Sequence, residues 1–199
     1  MFNILKIVRF LFMPCLEPSF LHLLKCNYSL FPNFIESGTF LGQTIFPFEP
    51  YFNNLYTVEI KEDLFQNAKK MYTGNKIHFY HGDSGNVFKD IIPEIKGKSI
   101  IFLDAHWSCG ITGKGEKDVP LYEELQCIIN YHKDEAVIII DDVRLFGKGP
   151  NTEHKYSVDW ENINIKTIVD MCTGRVTDKY LLPSTLSKND RLVVHLKSL

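Results

Sequence analysis

Glu36, Glu59, Asp83, Asp104 and the pair Asp141-Asp142 stand at or just beyond the ends of short β-rich runs. A carboxylate at such a place can cap the following helix, whose N-terminus favours negative charge and leaves N–H groups without partners. It can equally accept hydrogen bonds from the hydroxyl, amino or ammonium groups of a ligand, or bind a hard cation. Capping accounts for any one of these acids. A row of them across a whole sheet points instead to a binding site at one end of the strands.

The first acid lies in Phe34-Ile35-Glu36-Ser37-Gly38-Thr39-Phe40-Leu41-Gly42-Gln43-Thr44, a strand that passes through two glycines into a helix-length segment. Glycine lets the backbone turn sharply and approach a ligand closely. The spacing is not the GxGxxG of dinucleotide folds, and no GK[ST] follows to make a P-loop. Hydride transfer and nucleotide hydrolysis therefore lose support, and an acid before a lone glycine loop suits a cationic ligand better than a pyrophosphate.

The remaining acids suggest a second kind of chemistry. Asp104 closes the run Phe102-Leu103-Asp104 and is followed by Ala105-His106, while Asp141 and Asp142 close Ile138-Ile139-Ile140. If these runs are neighbouring parallel strands, three carboxylates converge, and three like charges in a small pocket call for a cation. Oxygen donors suit Mg²⁺ first, with Ca²⁺ or Mn²⁺ as alternatives. His106 titrates near neutrality and can serve there as a general base or as a fourth ligand. The glycine-bearing stretch from Ser108 to Pro120 reads as a loop able to close over the pocket, and Arg144 or Lys148 could meet an anionic substrate.

The elements that must position these side chains alternate along the chain. Strands are expected at Asn33–Glu36, Leu55–Ile60, Ile77–His81, Ser99–Asp104 and Ala136–Asp141, separated by helices at Leu41–Phe52, Glu62–Tyr72, Gly85–Ile95 and Leu121–Tyr131. Such alternation predicts a Rossmann-like, doubly wound α/β sheet, mostly parallel, whose ligands bind beyond the carboxyl ends of its strands. A helix over Trp160–Met171 and two extended runs, Val176–Leu182 and Arg191–Leu196, follow; the pair would form an antiparallel hairpin at the sheet edge.

Composition narrows the class further. With 199 residues the chain can bury one sizeable core, and 22 basic against 24 acidic residues give no broad basic face for nucleic acid. The five cysteines are scattered without a CxxC pair, so reduced, mostly buried thiols are expected. The apolar N-terminus, Met1 to Leu24, is interrupted by Lys6, Arg9, Pro14, Glu17 and Pro18 and is too broken for a membrane span. Residues 1–32 are expected to form a helical cover at one sheet edge, with an oligomer contact as the alternative, and residues 33–199 the main domain of a soluble, cytoplasmic protein.

Taken together, these motifs resemble class I S-adenosylmethionine-dependent methyltransferases, in particular the metal-dependent O-methyltransferases of the catechol and macrolide-sugar types. The resemblance implies a seven-stranded sheet and a cofactor bordered by Glu36, Gly38, Thr39, Gly42 and Thr44. It further places Glu59 on the ribose hydroxyls and Asp83 or Ser84 beside the adenine amino group. By the same likeness Asp104, Asp141 and Asp142 would hold the metal and His106 and Asp104 would act in catalysis. The acceptor would be a small hydroxylated molecule such as a sugar. A hydroxylase-like metal enzyme on the same sheet, or an inactive binding or assembly module, are the competing expectations.

Overall fold

The computed structural model of the chain describes residues 16–108, 110–150 and 158–199. Runs such as Ser99–Leu103 and Ala136–Ile140 are apolar without alternation and buried along their whole length, as parallel strands covered on both faces must be. The parallel strands are β1 (Asn33–Ser37), β2 (Asn54–Glu59), β3 (Ile77–His81), β4 (Ser99–Leu103) and β5 (Ala136–Ile140). Val176–Leu182 (β6) and Arg191–Leu196 (β7) complete a seven-stranded sheet in the order β3-β2-β1-β4-β5-β7-β6. The two C-terminal strands do pair with each other, and it is β7 that joins β5, antiparallel, leaving β6 at the edge. The chain therefore adopts the expected mostly parallel α/β architecture.

Strand alternation divides the core into two layers. Ile35, Ile101, Leu103, Ile138, Ile140 and Val194 face Phe88, Ile91, Leu125, Ile128 and Ile168. These partners come from three helices, Ser84–Ile91, Leu121–Tyr131 and Ile165–Met171. On the other face Phe34, Ile100, Phe102, Val137, Ile139 and Val193 meet Ile45 and Phe48 together with Leu16, Phe20, Leu21 and Leu24. The described part of the N-terminal segment thus lies across a sheet face, with short 3-10 turns at Pro18–Leu23 and Tyr28–Leu30. Residues 1–15, the larger part of the apolar stretch expected to form a cover or contact, lie outside the described residues.

In chain order the helices are α1 (Ile45–Phe48), α2 (Glu62–Met71), α3 (Ser84–Ile91), α4 (Leu121–Tyr131) and α5 (Ile165–Met171). Three are shorter than their apolar spacing predicts. The helix expected over Leu41–Phe52 shrinks to α1 because Phe40 and Gly42 take positive φ values of 49° and 75°, and Pro50 turns the end into a 3-10 segment. α3 gives way to a 3-10 turn at Ile92–Glu94, where Pro93 cannot continue it. α5 starts only at Ile165, where the Asn164 side chain accepts the Thr167 N–H at 2.8 Å. Trp160 and Ile163 are buried in the connection before it.

At the amino ends of the strands the polar groups are closed on one another. His132 Nε2 meets Ser99 Oγ at 2.8 Å, and Arg175 donates to the carbonyls of His132 and Asp134 at 2.8 and 2.9 Å. Cys26, Cys127 and Cys172 are free thiols; Cys15 and Cys109 lie outside the described residues. Among the described residues no helix is long and apolar enough to cross a membrane.

Candidate functional site

A cleft of about 1120 Å³, counting the space at its open mouth, runs along the carboxyl ends of β1, β2, β4 and β5. Of the residues singled out from sequence, Glu36, Gly38, Thr39, Thr44, Glu59, Asp83, Ser84, Asp104, His106, Asp141 and Asp142 all line it. Gly42 is absent from its wall: its φ of +75° serves the turn, and the Phe46 ring packs where a Cβ would stand. Gly38, at φ +88°, has a different reason to be glycine. A Cβ there would sit 3.0 Å from the Asp104 carbonyl oxygen, so only glycine lets the β1 and β4 loops meet.

Among the described residues two non-glycine positions have positive φ, Phe40 and Asp142, and both line this cleft. Left-handed backbone at such residues is a local strain that the surroundings must hold. The Phe40 N–H donates to Glu59 Oε2 at 2.8 Å, and the Asp142 N–H donates to Asp141 Oδ1 at 2.9 Å.

At the β1–β2 end, Glu36 is buried and accepts the Thr57 hydroxyl at 2.9 Å, while Thr57 and Thr39 share a 2.5 Å contact. Burial holds the Glu36 carboxyl well above the usual carboxylate range, against the Thr57 hydrogen bond. Thr44 takes the N–H of Leu16 at 3.2 Å, which fastens the N-terminal segment to this wall. Glu59 accepts the N–H groups of Phe40 and Lys61 at 2.8 and 2.9 Å, one on each oxygen, and is raised by burial despite them. The Gly38 and Thr39 N–H groups both donate to the Val58 carbonyl, at 2.9 and 3.1 Å. The glycine loop therefore offers side chains, rather than these two amides, to the cleft.

Asp83 caps α3 by accepting the Gly85 N–H at 3.0 Å and also lines the cleft. Ser84 donates its hydroxyl to Glu124 Oε1 at 2.5 Å. Glu124 is 1% exposed and is a functional candidate that strand-end reasoning misses, because it sits on α4. Its signal is an acid within the apolar stripe Leu121, Leu125 and Ile128, three residues after Leu121 where the core face falls. Burial pushes its carboxyl from 4.5 up to about 7, with the Ser84 and Ser37 hydrogen bonds opposing.

That displacement carries a stability prediction. A raised carboxyl binds its proton more tightly in the folded state, so its contribution is full below pH 4.5 and is lost as pH rises through 7. The span from 4.5 to about 7 corresponds to roughly 3 kcal/mol. Glu124→Gln should therefore gain on the wild type by about that amount between pH 4.5 and 8 in urea unfolding. A constant difference would contradict the assignment.

At the β4–β5 end the acids divide. Asp104, His106 and Asp142 bring donor atoms within 4.8 Å of one another. His106 Nδ1 faces Asp104 Oδ1 at 3.5 Å, and Nε2 faces Asp142 Oδ2 at 3.2 Å and Ser108 Oγ at 2.8 Å. Burial alone would lower the histidine's pKa, yet the Asp104 hydrogen bond and the fields of Asp142, Asp104 and Asp141 raise it above 6.5. Asp141 turns instead to Arg191 Nε at 3.4 Å and groups with Asp142 and Asp190. Its carboxyl is raised by burial first and by Asp104 next, with Arg191 opposing.

Arg144 is engaged with protein carboxylates. It pairs with Asp142, and its guanidinium and backbone N–H donate to Asp190 at 2.6 and 3.1 Å. Lys148 is exposed and absent from the cleft wall. Asp190, fully buried, and Arg191 close the base of this cluster, which sequence reasoning missed because both lie at the end of a turn-rich stretch. The loop expected over the pocket does border it through Thr112, Gly113, Gly115, Lys117 and Asp118. It is fastened by Trp107 N–H to the Asp118 carbonyl at 2.8 Å and by Lys61 to the Ile111 carbonyl at 2.8 Å.

No family model matches the sequence, and no curated protein matches it. Solved structures match its fold. The O-methyltransferase TomG of Streptomyces achromogenes, solved with S-adenosylmethionine, is similar over 99% of this chain and 97% of its own, at 13% identity and TM-score 0.60. A proposed caffeoyl-CoA O-methyltransferase from Staphylococcus aureus covers 97% and 90%, at 17% identity and TM-score 0.62. A proposed O-methyltransferase from Klebsiella pneumoniae covers 91% and 77%, at 15% identity and TM-score 0.61. At these identities the likeness establishes the fold alone, the seven-stranded, mostly parallel α/β sheet shared with these structures.

Proposed function

We propose that this chain is an S-adenosylmethionine-dependent O-methyltransferase acting on a small hydroxylated acceptor such as a sugar. The observation that carries the reading is one continuous cleft with two unlike ends: acceptor side chains at Glu36, Glu59 and Asp83, and the Asp104–His106–Asp142 cluster beyond β4 and β5. The names of the similar structures support methyl transfer as the chemistry of this fold.

In this reading Glu59 accepts the ribose hydroxyls, Asp83 and Ser84 face the adenine, and Glu36 with Thr39 and Thr44 borders the methionine end. Transfer breaks the sulfonium carbon–sulfur bond and forms a carbon–oxygen bond, leaving the neutral thioether. The acceptor's hydroxyl proton must leave, and His106 is placed to take it at Nε2, steadied through Nδ1 by Asp104. Orientation contributes as much as proton transfer, because the nucleophile must lie in line with the methyl group.

The donor set also fits a divalent cation. Asp104 and Asp142 would hold it, leaving His106 as the base; were His106 a third donor in place of that role, an imidazole among the ligands would admit Mn²⁺ beside Mg²⁺. When bound, such a cation lowers the pKa of the acceptor hydroxyl. Asp141, turned to Arg191, is assigned to holding the Asp142 turn.

Millimolar S-adenosylmethionine should raise the melting temperature by about 5 °C or more, the shift expected when ligand stands near a hundredfold above its Kd. No shift at millimolar ligand would count against the cofactor site. Label from methyl-labelled cofactor should then appear in hydroxylated acceptors, and a product mass gain other than one methyl group would sink the chemistry.

A further inference from the structure

Glu124 does not touch the wall where the cofactor is placed, yet it fixes the hydrogen of a residue that does. It projects from the first turn of α4 into the space behind β1 and β4, and is 1% exposed. Two serine hydroxyls converge on it. Ser84 donates to Oε1 at 2.5 Å, and Ser37 hydrogen-bonds it as well. Ser37 is itself committed on its other side, accepting the Asp104 N–H at 3.3 Å.

A serine hydroxyl has one hydrogen and two lone pairs. With its hydrogen directed at Glu124, Ser84 can offer the cleft lone pairs only. Asp83, beside it, is also an acceptor, with Oδ1 on the Gly85 N–H and Oδ2 close to Gly115 in the loop before α4. The wall at the start of α3 is then acceptor-only, although Ser84 taken alone could either donate or accept.

We propose that Glu124 is a positioning residue that makes Ser84 an obligate hydrogen-bond acceptor, so that the cleft selects a purine carrying an exocyclic amino group and rejects one carrying a carbonyl at that position. This rests on the reading of the cleft as a nucleoside-cofactor site and adds the residue behind it that sets its selectivity. A 6-amino purine presents N–H groups to Asp83 and Ser84. A 6-oxo purine presents a carbonyl oxygen to two acceptors, and neither pair can form a hydrogen bond. Opposing acceptors in this way, one of them the buried Ser84, costs more than losing a contact to water.

The test is isothermal titration of the folded full chain at about pH 8.5, where the Glu124 carboxyl is ionised and can only accept, with S-adenosylhomocysteine and with its deaminated analogue S-inosylhomocysteine. The wild type should prefer the adenosyl ligand by about 100-fold, as expected for a site built on hydrogen-bond complementarity. Glu124→Met keeps roughly the side-chain volume and removes both carboxylate oxygens, freeing the serine hydrogen to turn toward the cleft. In that variant, and in Ser84→Ala, the preference should fall to about tenfold or less. A merely structural role for Glu124 would weaken both ligands together and leave their ratio unchanged, and that result would overturn the proposal. Equal affinities in the wild type would overturn it too, while leaving the cofactor reading in place. Failure of the wild type to bind S-adenosylhomocysteine at all would overturn both.

Discussion

Asp142→Asn should lower kcat by about 10² to 10⁴ while moving the melting temperature little. Asparagine matches aspartate in volume and tolerates the positive φ of 64° at this position, so the turn after β5 survives the change. The negative charge does not. Asp142 faces His106 Nε2 at 3.2 Å and is the partner of Arg144, so neutralising it weakens the hold on the imidazole and removes a donor from the candidate cation site. Asp104→Asn should act through the same cluster, and the double variant should cost little more than the worse single one, because residues that act as a unit are not additive. Steady-state kinetics on the four proteins decides this. Additive losses would show that the two carboxylates work independently.

Asp190→Ala should destabilise the fold by about 3 kcal/mol or more, which for a chain of this size is a melting-temperature fall of roughly 6–12 °C. Asp190 is 0% exposed and accepts the guanidinium and backbone N–H of Arg144 together with the Ser184 hydroxyl at 2.5 Å. Removing it strands a partly buried guanidinium and two further donors, and uncompensated buried charge costs more than a well-made pair returns. Arg144 would then lean on Asp142 alone, so kcat should fall alongside stability. Calorimetric melting of the purified variant is the check, and an unchanged transition would show that Asp190 is dispensable to the cluster.

These two residues also mark the limits of what is readable before folding. Asp142 was legible because a parallel strand must end where its apolar run ends, and Ala136–Ile140 leaves no doubt about that point. The same logic located Glu36, Glu59 and Asp104, and the extended runs Val176–Leu182 and Arg191–Leu196 appear with the expected bounds. Asp190 was hidden because its importance comes from a neighbour 46 positions away in the chain. Arg144 seemed suited to a substrate anion for a related reason: Asp142 is two positions away, but Asp190, which takes both its guanidinium and its backbone N–H, is distant in sequence.

Helix lengths erred where backbone geometry outweighed apolar spacing. Leu41 to Phe52 has a helical pattern, yet positive φ at Phe40 and Gly42 turns the chain away before a helix can start. Met71 fits the apolar rhythm of α2 but is 67% exposed, since Leu64, Phe65 and Ala68 already fill the buried face. Glu124 shows the converse. Its position on a core face was written in the periodicity of α4, while its partners Ser37 and Ser84 belong to β1 and α3, which only the folded sheet brings together.

The most direct measurement of the central claim is a crystal structure of the full chain grown with S-adenosylmethionine and Mg²⁺ at millimolar concentration. It should show the nucleoside between Glu59 and Asp83, the amino-acid end beside Glu36, and the methyl group directed at Asp104, His106 and Asp142. A ligand seated outside this cleft, or a cleft filled by solvent under those conditions, would contradict the account.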